Sequence, residues 1–192
     1  MRKIETDLPG VFLIEPQVFE DARGFFFESF HAEKLRALGI ENQFVQDNHS
    51  RSVKGTLRGL HYQLNFPQAK LCRVIAGEVL DVAVDIRPAS PTFGRWTSAV
   101  LSAQNKLQIF IPSGFAHGFL VLSDEAEFLY KCSDFYNPHD ERGVLWNDPQ
   151  IGIDWKLEEF GFPELLLSSK DRDALSLAAI GDENLPVFQT KP

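Results

Sequence analysis

Apolar and polar positions alternate with period two along much of the chain. The clearest run is Val79 to Ile86: Leu80, Val82, Val84 and Ile86 fall on one face, and Asp81, Ala83 and Asp85 on the other. Alternation of this kind over eight residues predicts a strand. Further strands are predicted at 11–15, 25–30, 44–48, 56–63, 70–76, 95–101, 107–111, 115–122 and 127–133, with a short one at 144–146. Gly, Pro and Asp clusters such as Asp21-Ala22-Arg23-Gly24 and Pro112-Ser113-Gly114 separate them. A helix is predicted over 31–38, with Leu35 and Leu38 on one side and Gly39 as its stop. A second short helix is predicted near Ala174 to Ala179. About ten short strands with regular turns predict an all-β fold, a sandwich or jelly-roll barrel with a few short helices. The 192 residues are expected to form a single domain, with a jelly-roll core at about 10–147 and a C-terminal extension at 148–192.

Composition adds three constraints. Phenylalanine is abundant, 17 of 192, which suits strands and an aromatic-walled interior. The net charge of −8 argues against a nucleic acid partner, since an acidic surface repels a polyanion. It leaves room for a small anion held by a local Arg/Lys cluster. Residues 1–10 are polar, and no run of 18 apolar residues occurs, so neither a signal peptide nor a membrane span is expected, and a cytoplasmic location is. Cys72 and Cys132 lack zinc-type spacing and read as small core residues.

The candidate chemistry centres on Thr56-Leu57-Arg58-Gly59-Leu60-His61-Tyr62-Gln63. Of five histidines, His61 and His117 sit inside predicted strands among apolar neighbours. A lone buried histidine is usually a satisfied core residue. Two of them, with Lys70 and Tyr130 also on interior strand positions, point to a site. A jelly roll with inward histidines invites comparison with the metal-binding cupin pattern. The second cupin motif stands at Pro112-Ser113-Gly114-Phe115-Ala116-His117. The first does not: Gln63 replaces its second histidine, and its glutamate is missing. Two histidines fall short of a stable metal site, so no metal is expected. No Gly-x-Ser-x-Gly elbow is present for a serine nucleophile. Metal-free acid–base chemistry remains. His61 suits a base, Lys70 a developing oxyanion, and Tyr130 an acid on another side. The set suits proton removal α to a carbonyl.

Strand alternation sets a condition on this reading. Leu57, Gly59, His61 and Gln63 share one face, while Arg58, Leu60 and Tyr62 share the other. Arg58 and His61 line one pocket only if the pleat breaks between them, and Gly59 is where a bulge is tolerated. His117 and Phe119 share a parity, as do Gln46 and Asn48. Arg23 and Glu28 do not, so they serve different subsites, or one reaches across a dimer interface.

Several runs in order resemble the dTDP-4-dehydrorhamnose 3,5-epimerase family over nearly the whole length. They are Asp21 to Ser29, Phe44 to Ser50, Leu57 to Gln63, Ile111 to Phe119 and Glu127 to Cys132. The resemblance implies a cupin-type jelly roll without metal or other cofactor, assembled as a homodimer and acting on a dTDP-sugar. It implies His61 as general base paired with Asp171, Tyr130 as general acid, and Lys70 as stabiliser of the C4 enolate. It implies Arg23, Glu28, Gln46, Asn48, Arg58, Lys70, His117, Glu141 and Lys170 as substrate-binding positions, with Phe26 or Tyr136 near the thymine. Lys170 and Asp171 would come from the C-terminal extension. The implied reaction is inversion at C3 and C5 of dTDP-4-dehydro-6-deoxy-D-glucose, supplying dTDP-L-rhamnose. The alternative within the family is inversion at one carbon of another 4-keto sugar nucleotide. A metal cupin oxygenase and a non-catalytic sugar-binding jelly roll are the readings from other classes.

Overall fold

The structure, a computed structural model, describes residues 1–162 and 164–188. In chain order the elements are β1 (Arg2–Glu5), β2 (Phe12–Glu15), β3 (Val18–Asp21), β4 (Gly24–Phe27), α1 (Ala32–Ala37), β5 (Gln46–Val53), β6 (Leu57–Gln63) and β7 (Lys70–Ala76). They continue with β8 (Glu78–Asp85), β9 (Trp96–Ser102), β10 (Gln108–Ile111), β11 (Phe115–Val121), β12 (Glu125–Cys132), β13 (Glu141–Gly143) and α2 (Ser169–Arg172). Single 3-10 turns follow at Leu177–Ala179 and Asp182–Asn184. No helix among the described residues is long and apolar enough to cross a membrane.

Two antiparallel sheets carry the fold. One runs β1-β2-β10-β7-β12-β5 and the other β13-β6-β11-β8-β9, while β3 and β4 form a separate hairpin. Cys72, Val74, Ala83, Ile109, Phe119 and Phe128 pack between the sheets as the inner core. The outer faces are also covered. Leu35 and Ile40, on and after α1, lie on Phe12, Ile14 and Phe110 of the six-stranded sheet. Ile151, Trp155, Leu177 and Leu185 of the C-terminal extension lie on Leu60, Leu80, Val82 and Val84 of the five-stranded one. Strands buried on both faces lose the simple apolar-in, polar-out code. This explains β8: its apolar face is the outer one, beneath the extension, and Asp81 and Ala83 turn into the space between the sheets.

The expected jelly roll is present, with local differences. The sequence pattern does not predict β1 and β3, two short strands of mixed polarity; β1 pairs Arg2 with Glu15 at the sheet edge, ahead of the expected core boundary at residue 10. The expected helix near Ala174–Ala179 is replaced by α2 further upstream and a 3-10 turn. Ser168 caps α2 by accepting from the Asp171 amide at 3.1 Å. Leu175 is extended instead, because it forms a parallel bridge with Val144 and its carbonyl accepts from Leu145 N. α1 fits its expected span, with His31 as N-cap and Gly39 at φ +93° after it.

Candidate active site

The site is a cavity of about 610 Å³ between the two sheets, open at one end. β6 and β11 form its floor, and their pairing decides which side chains enter it. His117 pairs with His61 and Phe119 with Arg58, so β6 spends one residue more than β11 over this stretch. That is a bulge, and it reverses the pleat. Gly59 sits in it with φ +125°, and the peptide that follows is cis. A Cβ on Gly59 would lie 2.5 Å from Gly118 Cα, and a Cβ on Gly118 would lie 2.7 Å from the Arg58 carbonyl oxygen. Both positions require glycine because the two backbones touch. Arg58 and His61 consequently both line the cavity.

His61 Nε2 donates to Asp171 Oδ1 at 2.5 Å. Asp171 Oδ2 accepts from Ser168 Oγ at 2.7 Å. Burial works to raise the Asp171 carboxyl, but the hydrogen bonds from His61, Ser168 and the Gly59 backbone, with the charge of His61, hold it below its ordinary value. With Nε2 engaged, Nδ1 is the nitrogen free to take a proton. Tyr130 enters from β12 and Lys70 from β7, and the Lys70 ammonium lies 6.0 Å from the Tyr130 ring centre. Burial pushes the Tyr130 hydroxyl up to about 12, so it stays protonated at neutral pH. Phe119 and Phe128 stack 4.3 Å apart as an aromatic wall beside it.

His117 Nε2 donates to Asp81 Oδ2 at 2.9 Å; His117 lines the cavity and Asp81 lies behind it. Burial holds His117 below its ordinary value, against the pull of the Asp81 charge. Cys72, Asp81 and His117 bring one donor atom each to within 4.8 Å of one another. They do not form a good metal site. The nearest Asp81 and His117 atoms face each other as a hydrogen bond, and burial keeps the Cys72 thiol well above its ordinary value, hence protonated. Gln63, at the cupin ligand position, is turned away: its amide donates to the Phe66 carbonyl at 2.7 Å and accepts from Asn137 N at 2.8 Å.

Of the other expected positions, Asn48, Tyr136, Glu141 and His117 line the cavity. Gln46 stands behind them, donating to Asn48 Oδ1 at 3.0 Å and accepting from Tyr136 N at 2.8 Å. Lys170 is at the rim, ion-paired with Glu141. Glu141 Oε2 also accepts from Tyr136 Oη at 2.7 Å, and its Oε1 lies 3.8 Å from His61 Nδ1. Arg23, Glu28 and Phe26 lie outside this cavity in the single chain. Arg23 pairs with Asp21 on the exposed β3–β4 hairpin, and Glu28 pairs with Lys34.

A family model described as dTDP-4-dehydrorhamnose 3,5-epimerase matches residues 5–179. The chain belongs to this family. The dTDP-4-dehydrorhamnose 3,5-epimerase of Shigella flexneri is 56% identical over 173 residues, covering 89% of this chain and 93% of that protein. The crystal structure of a dTDP-6-deoxy-D-glucose-3,5-epimerase from Legionella pneumophila, in complex with dTDP-4-keto-L-rhamnose, matches with TM-score 0.94 at 52% identity. That match covers 98% of this chain and 99% of the other. A 3'-monoepimerase from Streptomyces bikiniensis, in complex with dTDP-quinovose, matches with TM-score 0.84 at 34% identity, over 96% of this chain and 92% of the other. The cupin-like sheets of this epimerase family are thus the fold of this chain.

Two site residues escape the sequence reading. Asp81 falls on the polar face of β8, where the alternation gives no sign that this face is interior. Ser168 is legible in part, since Ser168-x-x-Asp171 is a helix-capping pattern.

Proposed function

We propose that this chain is an isomerase that epimerises C3 and C5 of dTDP-4-dehydro-6-deoxy-D-glucose, giving dTDP-4-dehydro-L-rhamnose for dTDP-L-rhamnose biosynthesis. The observation that carries the reading is the convergence of His61, held by Asp171, with Lys70 and Tyr130 in one cavity. The 4-keto group acidifies the hydrogens on C3 and C5. His61 Nδ1 removes one, Lys70 holds the enolate oxygen, and Tyr130 delivers a proton to the opposite face. The ketone stores the charge, so the reaction needs no redox or carbanion-stabilising cofactor. Asn48, Arg58, His117, Glu141 and Lys170, with Gln46 behind them, surround the sugar diphosphate. Cations within an acidic chain meet its charge.

The working unit of this reading is a homodimer. Phe19, Phe25 and Phe26 are 56%, 60% and 67% exposed on the β3–β4 hairpin, an apolar surface that fits burial against a second copy. Such a hairpin carries Arg23, Glu28 and Phe26 toward the partner's cavity, with Phe26 or Tyr136 against the thymine. The free, buried Cys72 and Cys132 fit a reducing, cytoplasmic setting.

The likeness to a 3'-monoepimerase favours one second reading, inversion at a single carbon of a related 4-keto sugar. NMR of dTDP-4-keto-6-deoxyglucose with the enzyme in heavy water separates the two. Deuterium at both C3 and C5, with an L-configured product, supports the double epimerase. Deuterium at one carbon selects the second reading, and none at either carbon defeats both.

A further inference from the structure

The inner face of β5 is polar throughout. Gln46, Asn48, Ser50 and Ser52 alternate onto it, and Asn48 and Ser50 line the cavity. Ser52 stands near its end and is only 7% exposed. A buried hydroxyl needs a hydrogen-bond partner. Among the described residues Ser52 Oγ has one: it accepts from Arg58 Nε at 3.0 Å.

This bond joins the two layers of the fold, because β5 belongs to the six-stranded sheet and β6 to the five-stranded one. The turn between the strands is itself tied down. Lys54 N donates to the Asp124 carbonyl at 2.9 Å, Gly55 N to the Val121 carbonyl at 3.0 Å, and Thr56 N to the Val53 carbonyl at 3.1 Å. The spacing of Ser52 and Arg58 is therefore set by backbone, and an exposed arginine is held at its Nε.

A neutral acceptor has an electrostatic consequence. Arg23, Arg51 and Arg87 pair with Asp21, Glu125 and Asp85, and Lys170 at the cavity rim pairs with Glu141. No carboxylate among the described residues pairs with Arg58, whose one side-chain partner is the Ser52 hydroxyl. A hydroxyl fixes the guanidinium and leaves its charge uncancelled. With Nε engaged, the two Nη groups remain for the cavity, and such a fork matches a pair of phosphate oxygens. Holding it in place beforehand removes part of the cost of ordering a rotamer-rich side chain on binding.

We propose that Ser52 is the positioning residue of Arg58, holding its guanidinium ready for the diphosphate of the nucleotide sugar. This rests on the reading of the cavity as a dTDP-sugar site. Ser52 takes no part in proton transfer; it acts on binding, through Arg58.

The test measures dTDP binding by calorimetry, and kcat and KM on dTDP-4-keto-6-deoxyglucose, in wild type, Ser52→Ala, Ser52→Thr, Arg58→Ala and the double variant Ser52→Ala/Arg58→Ala. Ser52→Ala should weaken dTDP about three- to ten-fold, the worth of one hydrogen bond. KM should rise in parallel, with kcat unchanged. Ser52→Thr keeps the hydroxyl and should restore both. In the Arg58→Ala background the Ser52→Ala change should have no further effect, a non-additivity that a merely structural serine does not produce. Should Ser52→Ala fail to fold, Ser52→Val beside Ser52→Thr makes the same comparison at constant shape. Wild-type dTDP affinity in the variant lacking the hydroxyl overturns the proposal, and so does an equal loss with and without Arg58. A wild type that does not bind dTDP overturns the reading of the cavity instead, and with it the purpose of the tether.

Discussion

Arg58 and His61 are three residues apart on one strand, and both line the same cavity because β6 carries one residue more than β11 between them. Simple alternation would put them on opposite faces. Gly59 makes the exception through its positive φ and its contact with Gly118. Gly59→Ala should therefore be costly. Its Cβ would meet backbone atoms that have no flexible end to move aside, a kind of crowding worth about 1–3 kcal/mol. A lowered melting temperature and a substrate KM raised by loss of Arg58 are expected. Wild-type values for both would contradict the bulge account.

Acid should destabilise the protein in two stages. Burial holds His117 below its ordinary value, so the folded state resists its protonation. Stability then begins to fall as pH drops below about 6.5. Asp85, Glu141 and Asp171 act lower. Burial works to raise all three, but hydrogen bonds from Arg87, Ser90 and Thr92, from Lys170 and Tyr136, and from His61 and Ser168 hold them below their ordinary values. A carboxylate lowered by folding contributes stability that is complete above its unfolded value and lost as pH falls through its folded one. The loss should steepen below about pH 4. Melting curves from pH 8 to pH 3 check this, and a melting temperature that rises on acidification speaks against it.

Tyr130→Phe separates proton removal from proton delivery. Burial keeps the Tyr130 hydroxyl protonated, with its value at about 12, which suits the donor role proposed for it. Without it, His61 still takes protons from carbon and solvent deuterium still enters. Inversion, however, should slow by about 10²–10⁴. NMR in heavy water reads both at once. Inversion at the wild-type rate would mean that the proton comes from another group.

The β3–β4 hairpin should hold the dimer. Phe26→Ser removes part of the exposed apolar face and is expected to raise the dimer dissociation constant by about ten-fold or more. Arg23→Ala should leave the dimer intact and raise the substrate KM. Sedimentation equilibrium with steady-state kinetics reads both. A wild-type chain that sediments as a monomer at micromolar concentration would remove this arrangement.

Much of the fold was legible because β-strand periodicity is local. The run through Val79–Ile86 shows it, and so does the need for a pleat break at Gly59. Asp81 was not legible, since both faces of β8 are covered and alternation cannot tell which one looks inward. The Ala174–Ala179 helix failed because the Leu175 backbone is committed to Val144 and Leu145, contacts that no local pattern reports. The partner of His61 lies 110 residues away, so Asp171 was reached by family resemblance and not by spacing. Arg23 and Glu28 lie outside the cavity of the single chain, paired with Asp21 and Lys34, and no local pattern reports that.

The account rests on His61 as the base. His61→Asn preserves shape and removes the proton acceptor, so the decisive measurement is solvent deuterium uptake by dTDP-4-keto-6-deoxyglucose with this variant. The account predicts a folded protein that binds the nucleotide sugar yet incorporates deuterium at neither C3 nor C5. Uptake at the wild-type rate by a folded His61→Asn protein would contradict it.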